Sequence, residues 1–264
     1  MHKIFIVLFL SSMALFAKEY YAKVEPYELF TISANVSGQV IFTDEKSEGK
    51  KLGKKAYIKI DDKLDRLELN NVAKKIKLLQ NTLKLNEQMK QNYTAILSTK
   101  QKNYDNIKGL KTKSKIEKDR EFYDVVATQN TLIATAKEVD NLKVQINDLT
   151  LRKAQLSKSI ADKSQSAKGY TLYALHVKEG QVVNPGMTLS QLADISKAKL
   201  TIFLNTTDMK DAKDKTVYLN GKKTDYKVNR LWEIADSVHL SSYKAEIIIK
   251  APTYFSALVK VELK

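Results

Sequence analysis

The residue types that most often carry chemistry are sparse in this chain. Its three histidines, His2, His176 and His239, are far apart, and none belongs to an HExxH-type pair. Cysteine is absent, which excludes thiolate metal sites, a Cys nucleophile and a disulfide frame. The carboxylates show no pairing suited to acid–base work, and there is no glycine-rich phosphate loop. The sequence therefore offers no catalytic residue, no cofactor-binding residue and no metal ligand, and it reads as a non-enzyme. One dense feature remains. Lys108, Lys111, Lys113, Lys115, Lys118 and Arg120 crowd around Gly109 and Leu110, against only Glu117 and Asp119. Such a knob would be steered toward an acidic surface by long-range attraction. A solvated loop in a Lys-rich protein accounts for the same residues.

The elements that must position this cluster are legible from periodicity. Between 62 and 167 there is no proline, and Gly109 is the only glycine. Steps of four and three link Val72, Ile76, Leu79, Leu83, Asn86, Lys90, Tyr93, Leu97, Lys100, Tyr104 and Ile107. A second series links Val125, Thr128, Leu132, Thr135, Val139, Leu142, Ile146, Leu149, Lys153, Leu156 and Ile160. A 3.5-residue period places one apolar seam along each helix, and polar seam positions such as Asn86 fix register at some cost in stability. Two helices of about 50 residues, each ~75 Å long, around one central break predict an antiparallel coiled-coil hairpin. A single helix kinked at Gly109 is the competing arrangement, and it would have to dimerise to bury its seams.

The flanks read as β structure. Leu29–Ile32 and Val40–Phe42 are β-type runs before the helices; after Gly169 come Tyr170–Val177, Gln181–Ala193 and further strands from Leu200. Asn220-Gly221 after Val217-Tyr218-Leu219 is a two-residue hairpin signal. Glu48-Gly49-Lys50-Lys51-Leu52 is echoed by Glu179-Gly180-Gln181-Val182-Val183 on the other side of the helices. A hairpin returns the chain to its start, so two β halves, each too small for its own core, can close into one unit. At the N-terminus Lys3, the apolar run Ile4–Leu10 and a small residue at Ala17 read as an export signal, with an uncleaved anchor as the alternative. Export argues against nucleic acid as the target of the +15 net charge, which is spread along the chain.

These motifs carry a resemblance. Glu179–Leu189, with Asn184-Pro185-Gly186 inside it, resembles the second lipoyl half-motif of membrane-fusion (periplasmic adaptor, HlyD/AcrA-like) proteins. Ala34–Val40 resembles the first half-motif, and Asp194–Leu200 resembles the exit into that family's barrel. The resemblance covers nearly the whole chain. It implies an elongated α+β molecule: signal peptide at 1–17, first lipoyl half with an N-terminal β segment at 18–61, and coiled-coil hairpin at 62–167. The second lipoyl half would be 168–196 and a small β-barrel 197–264. It further implies a periplasmic subunit, peripheral to the inner membrane, that links an inner-membrane transporter to an outer-membrane TolC-like channel and self-associates into a ring, often six-fold. The partner-contact residues would be those of the hairpin tip, Lys108, Gly109, Leu110, Lys111, Lys113, Lys115 and Glu117. Leu110 matches the family's tip leucine, while Asn106 stands where Arg is expected and Glu117 where Ser is expected. The chain ends soon after one barrel's worth of strands, so the membrane-proximal domain of many relatives is expected to be missing. In true lipoyl carriers a Lys at the turn between the halves holds the cofactor; here Lys63 opens a long helix instead, and no cofactor is expected. The alternative function is an exported coiled-coil scaffold without a transport role.

Overall fold

The computed structural model describes residues 18–235, 239 and 241–264. The export segment read at 1–17 lies outside the described residues.

The proline-free region forms two helices, α1 (Lys63–Lys108) and α2 (Lys115–Asp162). They are antiparallel. Arg152 near the end of α2 binds Glu68 near the start of α1 at 2.6 Å, Lys143 pairs with Glu87 further along, and Tyr104 meets Phe122 near the turn. Both predicted seams face inward. Val72, Ile76, Val125, Val139, Leu142 and Leu156 are buried, and of the seam positions only Lys90 and Lys153 stay exposed. Thr128 and Thr135 are buried in the seam without cost to hydrogen bonding. Their hydroxyls donate to the carbonyls of Asp124 (2.8 Å) and Thr131 (2.9 Å) one turn back. Burying both seams within one chain removes the need for a kinked helix to dimerise.

The β halves before and after the hairpin close on one core. Strands β2 (Gly38–Thr43) and β3 (Ile58–Ile60) come from before it; β4 (Ser164–Gln165) and β6 (Val182–Val183) come from after it. Their sheet order, β4-β3-β2-β6, places strands of both origins side by side. The core mixes Ala34, Val40, Tyr57 and Ile60 with Leu172, Val183 and Leu189. Deep inside, the Tyr57 and Ser190 hydroxyls bond at 2.9 Å across the two halves.

The internal echo has a structural counterpart. Gly49 N–H donates to the Leu172 carbonyl, and Gly180 N–H to that of Val40, both at 2.8 Å. Leu172 N–H returns to Lys50, as Val40 N–H returns to Gln181. The Leu175 amide donates to the Glu48 carboxylate and the Thr43 amide to that of Glu179. Each Glu-Gly pair thus grips the other half by the same three bonds. Both glycines have positive φ, 74° and 87°, which explains the residue type at these turns.

Two long strands join this split unit to a second one. β1 (Glu19–Ser33) and β7 (Thr188–Leu204) are antiparallel through both units. Ala22, Val24, Ala198, Leu200, Ile202 and Leu204 lie in the second core, whereas Ala34, Leu189 and Leu192 lie in the first. The segment 18–61 therefore contributes to both cores. The junction is a register shift between Pro26 and Glu28, and the missing N–H of Pro26 suits the edge of an irregular position. The second unit adds β8 (Val217–Leu219), β9 (Lys222–Lys223), β10 (Val228–Ala235), β11 (Tyr243–Lys250) and β12 (Leu258–Leu263). With β1 and β7 the order is β10-β11-β7-β1-β12-β8-β9, and β5 (Thr171–Leu175) pairs with β7 off this path. Asn220 and Gly221 both take positive φ at the β8–β9 turn, as the hairpin signal predicted.

Candidate functional site: the hairpin tip and its support

The tip is built from its base upward. At the base, Asp61 accepts the Lys63 amide at 3.0 Å, satisfying one free donor of the α1 N-terminus. Asp62 instead holds Arg66 at 2.7 Å. Asp65 receives Ser159 Oγ at 2.8 Å and Lys163 Nζ at 3.0 Å, which ties the first turn of α1 to the last of α2. Burial raises the Asp65 carboxyl, but Ser159, Lys163 and Arg152 outweigh it and hold it below the usual carboxylate range. Gly38 sits under this clamp. A Cβ there would stand 2.6 Å from Cγ2 of Ile60 on the adjacent strand β3, just ahead of α1, so the two strands pack this closely only over glycine.

At the far end, α1 stops at Gly109, which keeps right-handed helical geometry and closes with a bond to the Ile107 carbonyl. The turn is therefore set less by this glycine than by the cap of α2. Ser114 and Glu117 form a capping box: the Glu117 amide donates to Ser114 Oγ at 3.2 Å, and the Ser114 amide donates to Glu117 Oε2 at 2.9 Å. Lys113 Nζ lies 3.1 Å from the other carboxylate oxygen. The Ser114 amide first, then Lys113, hold the Glu117 carboxyl down at about 2. The spacing Ser-x-x-Glu is readable in the sequence and marks where α2 begins.

All seven predicted tip residues are exposed. The structure brings Lys113 and Glu117 together and ties Lys108 to Asp105 at 2.7 Å. Lys111 and Lys115 have no acidic partner among the described residues. Beyond the predicted Leu110, which is exposed, sequence reasoning missed an apolar component on α2: Ile116 (81% exposed) and Tyr123 (68%), seven residues apart. Their heptad spacing, off the seam, was the available signal. Arg120 shares a depression of about 500 Å³ with Asn106 and Ile107, so a guanidinium from α2 stands next to the position where the family resemblance expects an Arg.

His176 and His239 are exposed, the latter stacked on Phe203, and His2 lies outside the described residues. Among the described residues no cluster of three His, Asp or Glu side chains could hold a metal ion. Lys63 is the first residue of α1, with no turn to present it. No described helix is long and apolar enough to cross a membrane.

No protein-family model and no curated protein matches the sequence. Solved structures do match the fold. MacA from Actinobacillus actinomycetemcomitans superposes with a TM-score of 0.67 over 94% of this chain and 79% of its own, at 19% identity. The membrane fusion protein Spr0693 from Streptococcus pneumoniae R6 gives 0.64 over 94% and 99%, at 8% identity. A putative efflux transporter from Bacteroides eggerthii DSM 20697 gives 0.52 over 93% and 68%, at 15% identity. With a two-helix hairpin rising from a β unit split around it, and a second β unit strung on the same two strands, the chain has the fold of the membrane-fusion proteins.

Proposed function

We propose that this protein is a periplasmic adaptor, exported by its N-terminal segment, that couples an inner-membrane transporter to an outer-membrane TolC-like channel for efflux or secretion. The observation that carries the reading is the hairpin itself. Two helices of 46 and 48 residues, ~70 Å long, are tied to each other at their root by Asp65, Ser159 and Lys163, and they rise from a β unit that closes only when the hairpin returns. That is a rigid spacer with a defined root and an exposed end. On this reading the split unit (18–61 with 168–196) is the lipoyl-like domain and 197–264 the barrel. Copies assemble into a ring in which weak lateral contacts are multiplied by symmetry. The tip lysines, with Leu110, Ile116 and Arg120 beside them, meet the channel. The role is passive coupling, without bond chemistry or a cofactor.

The test is photo-crosslinking in cells, with one reactive residue at Lys111 and another at Tyr218. Capture of an outer-membrane channel at Lys111 and an inner-membrane transporter at Tyr218 supports the adaptor. Capture of only further copies of this chain at both positions defeats it and favours an exported coiled-coil scaffold.

A further inference from the structure

The outer face of the β10-β11-β7-β1 sheet is not needed for the core and has an unusual composition. Alternate residues of β7 and β11 point inward: Leu200, Ile202 and Leu204, and Ala245, Ile247 and Ile249. The residues between them point outward. Phe203 stands opposite Lys244 in the β7–β11 register. Trp232 lies under both Lys244 (Nζ 4.6 Å from the ring centroid) and Arg230 (5.4 Å). Phe203 stacks on His239 at 3.7 Å. Tyr21, Lys23, Lys199, Phe203 and Lys244, with Glu25 among them, line one open depression of about 500 Å³. At the free edge, Ile234 is 83% exposed.

Location and charge narrow what this face can meet. β7 leaves the split unit near Ala193 and ends at Leu204, so Phe203 and its neighbours lie at the end of the molecule away from the hairpin. Glu246 is buried beneath Lys244 (3.1 Å) and Lys199 (3.9 Å), and the second carboxylate of the face, Glu25, stands opposite Lys199 in the β1–β7 register. Lys23 has no acidic partner among the described residues. Lys23, Lys199, Lys244 and Arg230 outnumber Glu25 and Glu246 here, so the surface is net cationic, ringed with aromatics whose rings are amphipathic, and open rather than pocketed. A protein partner held by hot spots would need a pocket for its anchors. A headgroup layer needs none: Trp and Tyr settle at that depth, Lys and Arg reach phosphates, and an exposed Ile enters the acyl boundary.

We infer that this face is a membrane-surface site, resting on anionic phospholipid headgroups through Lys23, Lys244 and Arg230, with Trp232 and Ile234 as its interfacial anchors. The attraction is electrostatic and supported by the +15 net charge of the whole chain. The site needs neither transporter nor channel, so it stands or falls separately from the adaptor role.

Trp232 is the only tryptophan, so its emission reports this face alone. The purified full chain is mixed with vesicles of phosphatidylglycerol and phosphatidylethanolamine, or of phosphatidylcholine alone. The expected result is a blue shift of Trp232 and quenching by brominated acyl chains with the anionic vesicles only, reversed at about 0.5 M salt. A Lys23→Gln/Ile234→Ser variant should bind about tenfold more weakly, since one cation at a membrane surface contributes about fivefold and the apolar anchor adds to it. Both residues are exposed, so circular dichroism should be unchanged. Vesicle binding with unshifted Trp232 emission would place the contact elsewhere, for instance on the N-terminal apolar run, and overturn the proposal. So would equal binding by the double variant, or an acidic protein captured at Trp232 while the vesicles leave its emission unmoved.

Discussion

Replacing Tyr57 with Phe tests whether the two β halves are joined as the structure shows. Tyr57 is 2% exposed and Ser190 0%, and their hydroxyls lie 2.9 Å apart with no other partner among the described residues. Tyr57 precedes the hairpin and Ser190 comes after it, so this bond exists only if the unit is closed across the insertion. Removing the phenolic oxygen leaves a dry, unpartnered serine hydroxyl, which costs about 1–3 kcal/mol. Ser190→Ala leaves the phenol stranded at a similar cost. In the double variant neither polar group remains, and the expected penalty is below about 1 kcal/mol because the shapes barely change. The cycle should therefore show a coupling of about 1–3 kcal/mol, with the double variant more stable than the sum of the singles predicts. The assay is urea-dependent hydrogen exchange at the Ile60 and Leu172 amides, which bond to Lys163 and Lys50 across the same seam. Penalties that add within about 0.5 kcal/mol would refute the shared buried bond.

Two further perturbations probe the ends of the hairpin. Ser114→Ala should weaken the start of α2 by about 1 kcal/mol, seen as faster amide exchange at Glu117 and Lys118 with little change near Leu156. The same cap should depend on acid: the Glu117 carboxyl is held down at about 2 against 4.5 in the free chain. Its contribution is present above about pH 4.5 and lost as pH falls toward 2. Exchange at the tip that is already fast at pH 4 would contradict the capping box. At the root, Gly38→Ala drives a Cβ to 2.6 Å from the buried Ile60 side chain and should cost about 1–3 kcal/mol in thermal unfolding. Gly53→Ala, where a Cβ meets nothing within 4 Å, is the control and should change stability by less than about 0.5 kcal/mol.

Legibility in the sequence depends on which signals are local. The heptad seams can be read residue by residue, because burial in a two-helix hairpin repeats every 3.5 residues and leaves its mark on each turn. The polar seam positions make sense only with their bonds: Thr128 and Thr135 satisfy themselves within α2, while Lys90 and Lys153 simply stay outside. The Glu-Gly echo is legible as a repeat, but its meaning is not. Only the three-dimensional structure shows that Glu48 and Glu179 each hold an amide of the opposite half. The continuity of β1 and β7 through two cores is hidden, since one strand serving two cores alternates its buried face about an irregular junction, and Pro26 and the Asp194–Lys197 stretch resemble a break.

The tip shows the same division. Its cations are visible as a count, but a count does not tell a paired lysine from an unpaired one. Lys108 and Lys113 are taken up by Asp105 and Glu117, which leaves Lys111 and Lys115 to act outward. Glu117, a departure from the family's docking motif in sequence, is spent on starting α2 and is held ionised for that purpose. The apolar Ile116 and the guanidinium of Arg120 come from the α2 side of the turn. The exposed surface of this tip is therefore composite, with its sequence-adjacent charges partly consumed by the fold. On the proposed adaptor role, substituting Lys111 and Lys115 together should reduce crosslinking of a channel at the tip without slowing or speeding amide exchange at Glu117, whereas substituting Lys113 should change both.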